Sequence, residues 1–161
     1  MMENYSSFYR AHKDRLFGYL MRLSGDYQLA CDIMQESFTR FLEHYSGNSL
    51  NPSLLYTIAR NAVLDDARKK TQRRDYSEPV DDPPPDPEKQ MLVREEYRNV
   101  LAAMQQLDKT ERDILALTVS SDMTYREIAA VAGISEANVK VKVHRARIRL
   151  KKILRMGKND G

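Results

Sequence analysis

The chain has 161 residues, 42% of them hydrophobic and 30% charged, with a formal net charge of +3; this suits one soluble domain or two small ones. Its single cysteine, Cys31, excludes an internal disulfide and fits a reducing compartment. No apolar run approaches the roughly 18 residues of a membrane span, and MMENYSSFYR does not open a secretory signal, so a cytoplasmic protein without stable membrane insertion is expected.

Taken in chain order, Tyr5, Phe8, Tyr9, Leu16, Phe17, Leu20 and Leu23 recur at three- and four-residue intervals and predict a first helix with one apolar face. Ser24-Gly25-Asp26 breaks it and offers Asp26 as the next N-cap. The second helix turns Leu29, Ile33, Met34, Phe38, Phe41 and Leu42 inward. Its other side carries Asp32, Gln35, Glu36 and Thr39, polar positions three or four apart that can meet a basic surface. SGNSLNPS, from Ser46 to Ser53, is a turn-rich interruption ending in a capping serine. A third helix is predicted from near Leu54, running through Ile58 and Val63 into a basic stretch. There Arg60, Arg68, Lys69, Lys70, Arg73 and Arg74 outweigh Asp65 and Asp66.

The sign then reverses. Five of the six prolines lie between Pro79 and Pro87, within EPVDDPPPDPEK, which is acidic and has almost nothing apolar to bury. An extended linker is expected over about 71–86, so that the chain divides into a domain at 1–74, a flexible acidic, proline-rich tether at 75–87 and a second domain at 88–161. Sixteen extended residues would reach roughly 50–58 Å at 3.1–3.6 Å each, on the order of 15–17 base pairs of duplex.

Past the tether, Pro87 suits the first turn of a helix that Met91, Leu92, Tyr97, Val100, Leu101 and Met104 continue to Leu107. Asp108 to Glu111 has the spacing of a capping box, with Thr110 as a second candidate cap. The next helix carries Ile114, Leu115, Leu117 and Val119. With no strand pattern anywhere, the fold class is all-α, in two small helical domains.

MTYREIAAVAGISEANVKVKVHRARIRLKK carries the sharpest local signal. Thr124 and Glu127 form a capping box, Ala129 and Ala130 permit close packing, Gly133 suits a sharp turn, Ile134 plugs the core and Ser135 caps the longer helix that follows. That is the outline of a helix-turn-helix, whose second helix enters the major groove. Val139, Val143, Ala146 and Leu150 form its inward stripe. Lys140, Val141, Lys142, His144, Arg145, Arg147 and Arg149 are left for duplex DNA, arginine pairing with guanine edges and the flanking charges fixing phosphates.

No catalytic constellation is present. There is no phosphate-binding loop or dinucleotide fingerprint, and His12, His44 and His144 have no ligand spacing with Cys31. Neither an enzyme, a metal site nor a cofactor is expected.

Two stretches of the first half, ACDIMQESFTRF and LLYTIARNAVLDDARKK, resemble signatures of the extracytoplasmic-function (ECF) group of bacterial RNA polymerase sigma factors. With the helix-turn-helix, the resemblance covers nearly the whole chain. It implies that residues 1–74 correspond to region 2, where Asp32, Gln35, Glu36 and Thr39 dock on the β′ clamp helices of core RNA polymerase. It further implies that Tyr56, Arg60, Asn61, Arg68 and Lys69 bind the melted −10 element, Asn61 matching the asparagine of the family's I-A-R-N pattern. Residues 88–161 correspond to region 4, reader of the −35 element and a contact of the β flap. An anti-sigma factor is a further implied partner of the promoter-DNA-binding chain. Leu54 stands where the family commonly has tryptophan, the preceding loop is short, and the Asp65-Asp66 pair adds an acid near DNA. A freestanding helix-turn-helix regulator, binding duplex operators without polymerase, is the alternative.

Overall fold

A computed structural model describes residues 2–44, 50–76 and 94–159, and among these it contains seven helices and no strand. They are α1 (Met2–Ser24), α2 (Tyr27–His44), α3 (Pro52–Tyr76), α4 (Glu95–Gln105), α5 (Lys109–Ser120), α6 (Tyr125–Ala132) and α7 (Glu136–Asn159). The all-α expectation holds.

Local chemistry sets the helix ends. Gly25, at φ +67°, turns the chain after α1, and Asp26 caps α2 by accepting the Leu29 N–H at 3.1 Å. The cap of α3 is Asn51 rather than Ser53: its side chain accepts the Ser53 N–H at 2.9 Å. This leaves Pro52 in the first helical position, where a missing N–H is harmless. Asp108 caps α5 through the N–H groups of Thr110 and Glu111, so Thr110 lies inside the helix and is not a cap. Glu111 turns away from the cap toward Arg149.

Two other expectations shift. α3 continues through Thr71 to Tyr76, a stretch with no glycine or proline in which Gln72, Arg73 and Arg74 are good helix formers; helical residues rise about 1.5 Å each, which shortens the tether there. The helical start at Pro87 and the proline-rich run fall outside the described residues. Leu42, Val119 and Ala130 face outward, Leu42 and Val119 at 48% and 49% exposure. Each sits one helical step off the buried positions Phe41, Ser120 and Ala129.

The α1–α3 unit packs Phe8, Leu16, Leu20, Ile33, Phe38, Phe41, Leu55 and Ala59 together, with the Phe8 and Phe41 rings stacked at 4.9 Å. The α4–α7 unit buries Leu101, Met104, Ile114, Leu117, Ile128, Val139, Val143 and Ala146. The two units are not held apart. α1 packs against α4 and α5, and α3 against α6, so that the buried residues of both halves form one continuous core.

Candidate nucleic-acid interface

The helix-turn-helix is built as its residues dictate. Thr124 accepts the Glu127 N–H at 3.2 Å while Glu127 accepts the Thr124 N–H at 3.1 Å, a complete capping box. Gly133 closes α6 in the left-handed region at φ +70°, ψ +33°. Ser135 then caps α7 through the Asn138 N–H at 3.1 Å. Val139, Val143 and Ala146 are buried beneath α7 and Leu150 is half-buried. Lys140, Val141, His144, Arg145, Arg147 and Arg149 are exposed, and Lys142 is half-buried.

One of these is spoken for. Arg149 Nη1 lies 3.0 Å from Glu111 Oε2 and 3.8 Å from Asp108 Oδ2. The Asp108 carboxyl is held below its ordinary range by the Glu111 and Thr110 N–H bonds, with Lys142 and Arg149 adding to the effect. Glu136 and Ala137, in the first turn of α7, are also exposed. Sequence reasoning passed over them, although the start of a recognition helix lies nearest the bases.

On α2, Asp32, Gln35, Glu36 and Thr39 share one exposed face. Glu36 pairs with Arg40 at 2.6 Å, and Asp32 accepts from Gln28 at 3.1 Å. On α3, Asn61, Arg68 and Lys69 are exposed. The basic run is partly answered by its own acids, Arg68 pairing with Asp65 at 2.5 Å and Lys70 with Asp66 at 3.5 Å. Asp65 therefore lowers the local positive charge rather than standing alone.

Of the other two α3 residues, Tyr56 is buried and Arg60 half-buried. Tyr56 is 1% exposed, its ring 5.6 Å from that of Tyr19, and its buried hydroxyl has no hydrogen-bond partner among the described residues. Burial pushes that hydroxyl well above the ordinary tyrosine range. Arg60 Nε donates to Asp113 Oδ2 at 2.6 Å. The expectation that both are open to DNA is corrected for this arrangement: α5 and α6 cover that side of α3.

Asp113, which the sequence reading did not single out, lies at the centre of the seam. Its Oδ1 accepts the fully buried Tyr19 hydroxyl at 2.7 Å; burial first, and then the adjacent carboxylate, raise the Tyr19 hydroxyl. Around it, Arg22 donates to Ser120 at 3.1 Å, Gln105 to the Arg22 and Leu23 carbonyls at 3.3 and 3.5 Å, and Arg15 pairs with Asp122. An acid beside Ile114 and Leu115, in register with buried Ala116, Leu117 and Ser120, was the available signal.

A family model described as Sigma-70 region 2 matches residues 8–73, and one described as Sigma-70, region 4 matches residues 97–150. The ECF RNA polymerase sigma factor SigM of Bacillus subtilis is 29% identical, over 94% of this chain and 96% of its own length. EcfG of Rhodopseudomonas palustris, also an ECF RNA polymerase sigma factor, is 30% identical over 86% of this chain and 78% of its own. Among solved structures, the sigma factor RpoE in complex with the anti-sigma factor NepR, from Bartonella quintana, superposes with a TM-score of 0.75 at 22% identity, covering 95% of this chain and 98% of that one. CnrH in complex with the cytosolic domain of CnrY gives a TM-score of 0.71 at 19% identity, covering 97% and 90%.

Proposed function

The chain belongs to the ECF RNA polymerase sigma factors, and from that premise we propose how its residues divide the work of promoter recognition. As a sigma factor it directs RNA polymerase to promoters; a freestanding regulator is not favoured. Residues 1–74 are assigned to the polymerase clamp and the −10 element, 75–87 to the tether, and 88–161 to the −35 element and the β flap.

The exposed α2 row of Asp32, Gln35, Glu36 and Thr39 is the docking face, because acids and amides on a rigid helix complement a basic partner surface. Asn61, with Arg68 and Lys69 about two turns on, meets the melted −10 strand. Its amide offers donor and acceptor to a base edge once the base is unstacked. Tyr56 and Arg60 join them only when the seam has parted.

The observation that carries the −35 assignment is α7, which buries Val139, Val143 and Ala146 while presenting Lys140, Val141, His144 and Arg145 together. Arg145 is placed as a base reader, with Lys142 and Arg147 on phosphates. Arg149 is retained by Glu111.

As an initiation factor the chain leaves bond-making to polymerase, and acting with it places the chain in the cytoplasm. No helix among the described residues is long and apolar enough to cross a membrane. An anti-sigma factor is its proposed regulator, as such proteins accompany relatives of this fold. Runoff transcription with core polymerase on a library of the host's upstream regions tests the reading. A discrete promoter set that initiates only when the chain is added is the expected result; binding of a palindromic duplex without any gain in initiation would return the regulator reading.

A further inference from the structure

We propose that Asp113 is an intramolecular latch that occupies Arg60 in place of a DNA phosphate, so that the promoter strand and the second half of the chain compete for one guanidinium. The inference rests on the −10 assignment of α3 made above.

Both Asp113 oxygens are used across the seam, one by the Tyr19 hydroxyl at 2.7 Å and the other by Arg60 Nε at 2.6 Å. The pair is largely shielded from solvent, with the Asp113 side chain 9% and that of Arg60 21% exposed. Adhesion alone does not call for this chemistry, since a buried ion pair pays a desolvation penalty that an apolar contact avoids. A carboxylate, however, offers a guanidinium an anionic oxygen acceptor as a phosphate does, and here Oδ2 serves Arg60 while Oδ1 serves Tyr19. Asp113 thus gives Arg60 the kind of partner DNA would give it, and the two cannot be engaged together.

The seam also carries its own release. Tyr56, one turn before Arg60 on α3, is buried there with a hydroxyl that has no partner among the described residues, which forfeits its hydration without return. Parting the halves moves the Asp122 side of the seam away and lets water reach that hydroxyl, while the ring stays against Tyr19 of its own half. Closing satisfies Asp113 and Tyr19, whereas opening satisfies Tyr56. Opposed demands on one face make a two-state seam that a tight partner can tip. A strand that binds only the open state sees its affinity lowered by the fraction of chain that is closed.

The test uses the full chain in two forms. The first carries Asp113→Asn, which keeps an acceptor for Tyr19 and removes the charge opposite Arg60. Spin labels at Glu43→Cys and Lys151→Cys, in a Cys31→Ser background, report the distance between the halves without DNA, so the latch is judged even if the −10 assignment fails. Fluorescence anisotropy with a labelled single-stranded −10 oligonucleotide, taken from a promoter recovered by runoff, reports access. The second form carries Ser53→Cys and Met123→Cys, also with Cys31→Ser, because these side chains meet across the seam at 3.6 Å. A short bis-methanethiosulfonate bridge closes it and reductant reopens it, which keeps the test alive should Asp113→Asn fail to fold.

A longer distance and roughly tenfold tighter oligonucleotide binding for Asp113→Asn are expected. The bridged chain should lose binding and recover it on reduction. Unchanged distance and binding in folded Asp113→Asn, or a bridged chain that binds as well as the released one, would overturn the latch.

Discussion

The Arg149 guanidinium lies 3.0 Å from the Glu111 carboxylate and ties α7 back to the first turn of α5. Glu111's side chain is only 6% exposed, while that of Arg149 is 57% exposed, so the acid depends on the pairing more than the base does. Removing the arginine strands a nearly buried charge. Arg149→Ala should destabilise the chain by about 1–3 kcal/mol and leave −35 preference unchanged. Urea unfolding and a −35 promoter library check both halves of that statement. Altered base preference at unchanged stability would move Arg149 into the reading set.

Asn61 and Arg145 should fail in different ways. Asn61→Ala is expected to impair strand opening, read by permanganate reactivity, more than closed-complex binding. Arg145→Ala should weaken discrimination at one −35 position by about 1–3 kcal/mol without affecting opening. Equal loss of opening and binding for Asn61→Ala would contradict its assignment.

Two glycines at nearly the same φ make a controlled pair. A Cβ on Gly133 would meet nothing within 4 Å, whereas one on Gly25 would lie 3.1 Å from Gln105 Nε2. Gly133→Ala should therefore cost only the left-handed backbone penalty, about 1–2 kcal/mol. Gly25→Ala adds a displaced Gln105 and a loosened seam. Thermal melts should rank Gly25→Ala as the worse; equal losses would mean that Gln105 moves aside freely.

Alkaline titration reads the seam directly. The Tyr19 hydroxyl is held above its ordinary value by burial and by Asp113, so the folded chain favours the protonated form. A raised acid contributes stability that is complete below the unfolded value near pH 10 and is lost as pH rises toward the folded one. Tyr56 has the same sign. Ultraviolet tyrosinate absorbance should show a late step, above pH about 10, coincident with loss of near-ultraviolet circular dichroism. Ionisation of all nine tyrosines before any structural change would exclude a closed seam around Tyr19.

What could be read from the sequence was what is local. Thr124 with Glu127, Gly133 before Ser135, Asp26 after Gly25 and the Val139-Val143-Ala146 stripe each declare themselves within a few residues, because caps and helical periodicity are short-range. Asn51 was obscured by Ser53, a better-placed serine by pattern, until Pro52 proved to be helical. The partners of Asp113 lie 94 and 53 residues away, and no spacing rule pairs residues so distant. Tyr56 misled for a related reason: a tyrosine on a basic helix looks like a stacking platform until its ring is found packed against Tyr19, 37 residues earlier.

Gln105 finishes the last turn of α1 by donating to the Arg22 and Leu23 carbonyls. On the ribosome, the first half emerges before Gln105 has been made. Chains are synthesised at about 5–20 residues per second and domains fold N-terminal first, so for some seconds those carbonyls have only water. Until Asp113 has also been made, Arg60 of the nascent chain has no carboxylate to latch onto. A binding partner already waiting at the ribosome would meet a surface that the finished molecule hides.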